Sequence, residues 1–138
     1  MLPVHPRKLS LANLPTPLRR LDKLSAKFNK NIWLKSDDLT GFTLSGNKVR
    51  KLEYLLADAI DKGKDTVITC GGIQSNHCRA TAFACAQLGL ACHLILRNDL
   101  GPERRSTKNL GNHFLDQLAG ATYELHDGFS YQLSLIHI

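Results

Sequence analysis

Ser45-Gly-Asn-Lys48-Val-Arg50-Lys51 sets three cations in what reads as the first turns of a helix. A helix N-terminus carries partial positive charge and favours anions, so this cluster sits at an electrostatic disadvantage unless a phosphate or carboxylate comes to it. The same crowding gives Lys48 a route to chemistry. A lysine amine attacks a carbonyl only when neutral, and neighbouring cations or an apolar pocket lower its pKa. The bland alternative is three solvated cations on an amphipathic helix, and the segment alone does not exclude it.

The second chemical stretch is Cys70-Gly-Gly-Ile-Gln74-Ser75-Asn76-His77-Cys78-Arg79: a strand end, a glycine turn, then a helix start bearing hydroxyl, amide and imidazole. Glycines let the backbone approach a bound group, and Ser75 and Asn76 can cap the helix, bind a ligand, or do both. Cys78 beside His77 suggests a thiolate nucleophile. Against this, adjacent helical residues point about 100° apart and make a poor nucleophile-base pair. A non-enzymatic phosphate module is a further alternative, but neither Gly-x-x-x-x-Gly-Lys-Ser/Thr nor Gly-x-Gly-x-x-Gly is present.

The surrounding pattern supplies the elements that hold these residues. Met1 to Pro17 contains four of the five prolines and reads as an extended arm wrapping over the body, followed by a short helix from Leu18 to Phe28. Asn31 to Lys35 reads as a strand, ended by the turn-forming Ser36 to Gly41. From a Ser45 cap, Val49, Leu52, Leu55, Leu56, Ala59 and Ile60 recur at helical spacing up to Gly63. Thr66 to Cys70, Ala91 to Leu96 and Thr122 to Leu125 read as strands, separated by helices at Ser75 to Leu88 and Glu103 to Leu118, the latter with a weak point at Gly111. Alternating strand and helix implies a parallel sheet, whose ligands lie at the C-terminal ends of the strands, where Gly71-Gly72 falls.

With 138 residues and 43% hydrophobic content, the chain suits one packed globular body, and no apolar run is long enough to span a bilayer. Its charge of +6 is dispersed and aromatics are only 7%, which argues against nucleic acid and for an anionic small molecule. Four cysteines without a close pair read as buried, reduced thiols rather than a metal or redox site, which points to the cytoplasm.

Ser45-Gly-Asn-Lys-Val-Arg-Lys-Leu-Glu-Tyr-Leu55 and Gly71-Gly-Ile-Gln-Ser-Asn-His-Cys-Arg79 together resemble the paired signature of the 1-aminocyclopropane-1-carboxylate deaminase and D-cysteine desulfhydrase family, among the fold-type II pyridoxal-phosphate enzymes. The likeness extends more loosely from Leu14-Pro-Thr-Pro-Leu18 through Gly111-Asn112 to about Leu125. It implies a tryptophan synthase beta-like α/β fold, with residues 1–50 opening a large cofactor domain and 51–132 forming an incomplete small domain. It also implies a homodimer in the full-length protein.

By the same resemblance, Lys48 holds the pyridoxal 5'-phosphate aldehyde as an imine and can then move the alpha proton, with Ser75 as the other candidate for that role. Asn76 hydrogen-bonds the pyridine hydroxyl, and Lys51 approaches the phosphate. Gln74, Ser75, Asn76 and His77 line the substrate pocket. The implied reaction releases ammonia and a 2-oxo acid from D-cysteine or a cyclopropane amino acid. His77 after Asn76 is similar to the desulfhydrases, and Gly71-Gly72 before Ile73 to the deaminases.

The family's glycine-rich phosphate loop and pyridine-nitrogen partner have no counterpart in the sequence, so a C-terminally truncated, inactive fragment is the expected alternative. Leu133-Ser-Leu-Ile-His-Ile138 reads as the translation of a transposon adaptor end used in sequencing libraries, and on that reading is a non-biological tail.

Overall fold

The computed structural model describes residues 6–41, 43–98 and 110–126. In chain order the elements are β1 (Leu18–Arg20), α1 (Asp22–Phe28), β2 (Trp33–Lys35), a 3-10 turn (Asp37–Leu39), α2 (Lys48–Asp61), β3 (Thr66–Gly72), α3 (Asn76–Leu88), β4 (Ala91–Arg97), α4 (Gly111–Leu118) and β5 (Thr122–His126). The order of alternating strands and helices matches the sequence reading. The tail at 133–138, and the part of the expected third long helix that precedes Leu110, lie outside the described residues.

Three boundaries differ for physical reasons. The helix expected from Glu103 to Leu118 does not run unbroken: Leu110 is extended at φ −124°, ψ 153°, and α4 starts at Gly111, whose φ of 58° glycine adopts without strain. Leu18 to Arg20, expected to open a helix, is a strand instead, because it pairs antiparallel with β2, Leu18 opposite Lys35 and Arg20 opposite Trp33. Ser45, expected to cap α2, is not its N-cap. That position is Asn47, which makes no side-chain cap bond, and the Ser45 hydroxyl instead accepts from Arg79 Nη2 at 3.1 Å. A tertiary donor has displaced a local one.

β3, β4 and β5 form a parallel sheet in that order. Alternation along the strands turns Val67, Cys92, Leu94 and Leu96 inward, where they meet Val49, Leu52 and Leu56 of α2 and Cys78, Ala82 and Cys85 of α3 in one core. Leu52, Leu56, Leu94 and Leu96 are wholly buried, each worth about 1.5–3 kcal/mol of transfer free energy. The buried face of α3 is built largely of small residues, which lets the helix lie close on the sheet and fixes where its N-terminus points. Gly89 ends α3 at φ 72°, a left-handed conformation that glycine adopts without strain. On the other side of the sheet Ile68 is 53% exposed.

The amino-terminal arm runs over α2, as expected. Leu9 N–H donates to the Glu53 carbonyl at 3.0 Å. The buried Glu53 carboxylate accepts from the backbone N–H groups of Leu11 and Ala12, each at 2.9 Å, and pairs with Lys8.

Candidate functional site at the N-termini of α2 and α3

β3 delivers the chain to its C-terminal end at Gly72, and the chain turns into α3 within three residues. Glycine at 71 is a matter of space: a Cβ there would lie 2.7 Å from Ser75 Oγ and 2.8 Å from Cys78 Sγ. That close approach seats Ser75 as the N-cap, its Oγ accepting from the N–H groups of His77 and Cys78, both at 3.2 Å. Capping occupies lone pairs of the hydroxyl, and the same side chain bonds the Cys78 thiol.

Asn76 opens α3 and stands exposed. Its Oδ1 accepts from Asn112 Nδ2 at 2.9 Å and from Arg79 Nη1 at 3.3 Å. Asn112, on α4, also receives Arg79 Nη1 on its own Oδ1 at 3.1 Å and donates Nδ2 to the Gln74 carbonyl at 2.8 Å. Gln74 completes the link, its Oε1 accepting from Asn112 N–H at 2.9 Å and its Nε2 donating to the Leu110 carbonyl at 3.0 Å. The Gln74 side chain therefore ties the turn before α3 to the start of α4.

On the opposite side, α2 begins at Lys48 and packs on α3. The loop before it is pinned from two directions. Thr40 Oγ1 bonds the carbonyls of Asp37 and Gly46, each at 2.9 Å, and Arg79 Nη2 donates to the Ser45 carbonyl at 3.0 Å. Of the three cations in this cluster, Arg50 turns away from the α3 N-terminus. Its guanidinium forks onto Asp37 at 2.7 and 2.8 Å and reaches Thr16 Oγ1 at 3.1 Å. Among the described residues none hydrogen-bonds or ion-pairs with the amines of Lys48 or Lys51. The Lys51 pKa is held below its ordinary value first by desolvation and then by the charge of Lys48.

His77 lies next to these lysines. Its Nε2 meets Thr69 Oγ1 at 2.9 Å. Burial, with the charges of Lys51 and Lys48, pushes its pKa down to about 4, so the imidazole is neutral at physiological pH. Cys78 is wholly buried and its thiol is pushed up to about 12 by that burial. This removes the thiolate-nucleophile alternative. The four cysteines are free thiols, three of them buried.

The structure thus brings Lys48, Lys51, Ser75, Asn76 and His77 to one solvent-open junction of two helix N-termini, while Gln74 is engaged beside it. Arg79, Asn112 and the Asp37–Arg50 pair were not anticipated as part of this assembly. Arg79 and Asn112 lie in the stretches that carry the resemblance, but nothing local in the sequence signals their pairing, since the Asn76–Asn112 bond joins residues 36 positions apart. Behind Arg79, Asp116 is wholly buried, and neither carboxylate oxygen has a hydrogen-bond partner among the described residues. Burial lifts its pKa to about 7, opposed by the charge of Arg79.

A parallel sheet with a lysine-bearing helix and a Ser-Asn helix start facing each other defines a class, and a family model described as "Pyridoxal-phosphate dependent enzyme" matches residues 9–130. The chain belongs to that family, and its fold is that of the fold-type II enzymes. Over 124 residues it is 50% identical to the bifunctional D-cysteine desulfhydrase/1-aminocyclopropane-1-carboxylate deaminase, mitochondrial, of Arabidopsis thaliana, covering 90% of this chain and 30% of that protein. It is 43% identical to a D-cysteine desulfhydrase of Salmonella paratyphi B, covering 89% of this chain and 38% of that one.

A solved structure of an ACC deaminase homologue superposes with a TM-score of 0.78 at 38% identity, over 91% of this chain and 36% of that one. A fungal L-serine ammonia-lyase from Rhizomucor miehei shares the fold at 19% identity with a TM-score of 0.64. The chain therefore spans about a third of the length of the relatives it matches. No helix of the described residues is long and apolar enough to cross a membrane.

Proposed function

We propose that this chain carries the lysine-bearing part of an enzyme that uses pyridoxal 5'-phosphate to break a small amino acid down to a 2-oxo acid and ammonia. The reading is of the D-cysteine desulfhydrase or 1-aminocyclopropane-1-carboxylate deaminase type. The observation that carries it is the Lys48 amine, without a hydrogen-bond or ion-pair partner among the described residues, standing beside a neutral His77. No side chain of the described residues holds this amine elsewhere, so its position leaves it open to the cofactor's carbonyl.

The donor set at the junction fits the cofactor. Lys48 would hold its aldehyde carbon covalently, Asn76 Nδ2 would donate to its ring hydroxyl oxygen, and Lys51 would approach its phosphate. When bound, the cofactor supplies an electron sink for the bond broken at the substrate's alpha carbon. The Lys48 amine, once released from the cofactor, would hold or move the alpha proton. The Ser75 hydroxyl proton would bind the substrate carboxylate or assist that transfer, and His77 would present a neutral wall to the substrate.

In this reading residues 1–50 begin a large cofactor domain and 51–132 belong to a small one. The full-length protein is a homodimer in a compartment that keeps its four cysteines reduced, cytoplasmic by default. The chain by itself is the second reading, an inactive fragment. It is favoured by the open position of Lys48 and Asn76, both exposed, and by the third of the relatives' length that the chain covers.

Borohydride reduction of the cofactor-loaded full-length protein followed by peptide mapping tests the assignment. The cofactor label is expected on Lys48, and a label on another lysine overturns it. Hydrogen sulfide from D-cysteine against 2-oxobutyrate from the cyclopropane substrate then decides the reaction, and the chain tested alone decides the fragment reading.

A further inference from the structure

We propose that Asn112, together with Arg79, is a positioning residue that fixes which end of the Asn76 amide faces the cofactor. A guanidinium can only donate hydrogen bonds. Arg79 Nη1 donates to Asn76 Oδ1 at 3.3 Å and to Asn112 Oδ1 at 3.1 Å, so both amides must turn their carbonyl oxygens toward it. With its oxygen so turned, Asn112 has its NH2 group left to donate. That group meets two acceptors, the Gln74 carbonyl at 2.8 Å and Asn76 Oδ1 at 2.9 Å.

The Asn112 backbone N–H, donating to Gln74 Oε1 at 2.9 Å, holds the residue in place from the other side. Every bond in the circuit agrees with one orientation, and reversing either amide would set NH2 against a guanidinium donor. Asn76 Oδ1 is thereby taken by two protein donors, and its Nδ2 is the group left to present outward. The same Arg79 side chain grips Ser45 at its carbonyl and hydroxyl, three residues before Lys48. One guanidinium therefore sets the Asn76 amide and anchors the loop that leads to the lysine.

This inference rests on Asn76 facing the cofactor as proposed above, and a double-mutant cycle separates the two. Cofactor affinity and the pH dependence of the bound cofactor's visible absorbance are measured in the full-length protein and in Asn76→Ala, Asn112→Ala, Asn112→Asp and the Asn76→Ala/Asn112→Ala double variant. Asn76→Ala is expected to weaken cofactor binding about tenfold, the loss of one hydrogen bond to a charged group. Asn112→Ala is expected to approach that loss while melting within a few degrees of the parent. Asn112→Asp, whose carboxylate would force the Asn76 amide to turn over, is expected to match or exceed it.

In the double variant, Asn112→Ala is expected to add nothing to Asn76→Ala. An Asn112→Ala effect of equal size with and without Asn76, or no effect of either Asn112 substitution on affinity and absorbance, would overturn the positioning role while leaving that of Asn76 intact. No effect of Asn76→Ala would overturn both. Should Asn112→Ala fail to fold, Asn112→Ser serves in its place and the same comparison decides.

Discussion

Arg50 lays both arms of its guanidinium across the Asp37 carboxylate, Nη2 to Oδ1 at 2.7 Å and Nε to Oδ2 at 2.8 Å, joining the first turn of α2 to the loop after β2. The hydrogen bonds from Arg50 hold Asp37 at about 2, below its usual 3.8. A carboxyl whose folded pKa is depressed stabilises the fold above its unfolded value and loses that contribution as pH falls through the folded one. Asp37→Asn is therefore expected to lower the melting temperature at pH 6, with the gap to the parent closing between about pH 4 and 2. Melting curves of both proteins across that range check it.

Lys48→Ala is expected to abolish the borohydride-trapped label and to reduce turnover by at least about 10²–10⁴-fold, the usual contribution of a positioned acid-base group. Lys48→Arg keeps the charge without a nucleophilic amine and is expected to fail equally. Labelling and turnover measured on the same preparations check both.

Ser75 has a structural task that can be separated from a chemical one. Ser75→Ala is expected to cost about 1 kcal/mol through the lost N-cap. Ser75→Asp keeps a capping oxygen and is expected to preserve the melting temperature, while its negative charge repels a substrate carboxylate and raises KM. Retained activity in Ser75→Asp would assign Ser75 to capping alone.

His77 and Asp116 impose pH dependences of opposite sign. His77 titrates at about 4 when folded against 6.5 unfolded, so the unfolded chain binds more protons between these values and stability falls as pH drops through them. Asp116 titrates at about 7 when folded against 3.8, so the folded chain holds the extra proton and stability falls as pH rises. Asp116→Asn is expected to gain on the order of a few kcal/mol at pH 8 relative to pH 4, and His77→Gln to gain most below pH 5. Denaturant unfolding measured from pH 8 down to pH 4 checks both.

The fold was largely legible because its signals are local. The spacing of Val49, Leu52 and Leu56, the short apolar runs of β3 and β4, and Gly89 after α3 each report on a few neighbouring residues. The strand at Leu18 to Arg20 was not, since three residues become a strand only by pairing with Trp33 to Lys35. At the site, Lys48 and the Gln74 to His77 run were readable as motifs. The separate fates of Arg50 and Lys51 were not: both are cations in one helical turn, and only Asp37 and Thr16, brought by the fold, draw one aside. The bonding of Asn112 gave no local sign either, its amide being held by a guanidinium from another helix.

The contacts of Arg79 with Asn112 and Ser45 span 33 and 34 positions along the chain. Contacts of that range close only after intervening segments have collapsed, so they form late and slow the search for the native state. α3 and α4 must have docked before the Asn76 amide acquires its orientation. If Asn76 faces the cofactor as proposed, cofactor capture is coupled to completed folding, and a partly folded chain, however helical, would leave the proposed binding groups unaligned.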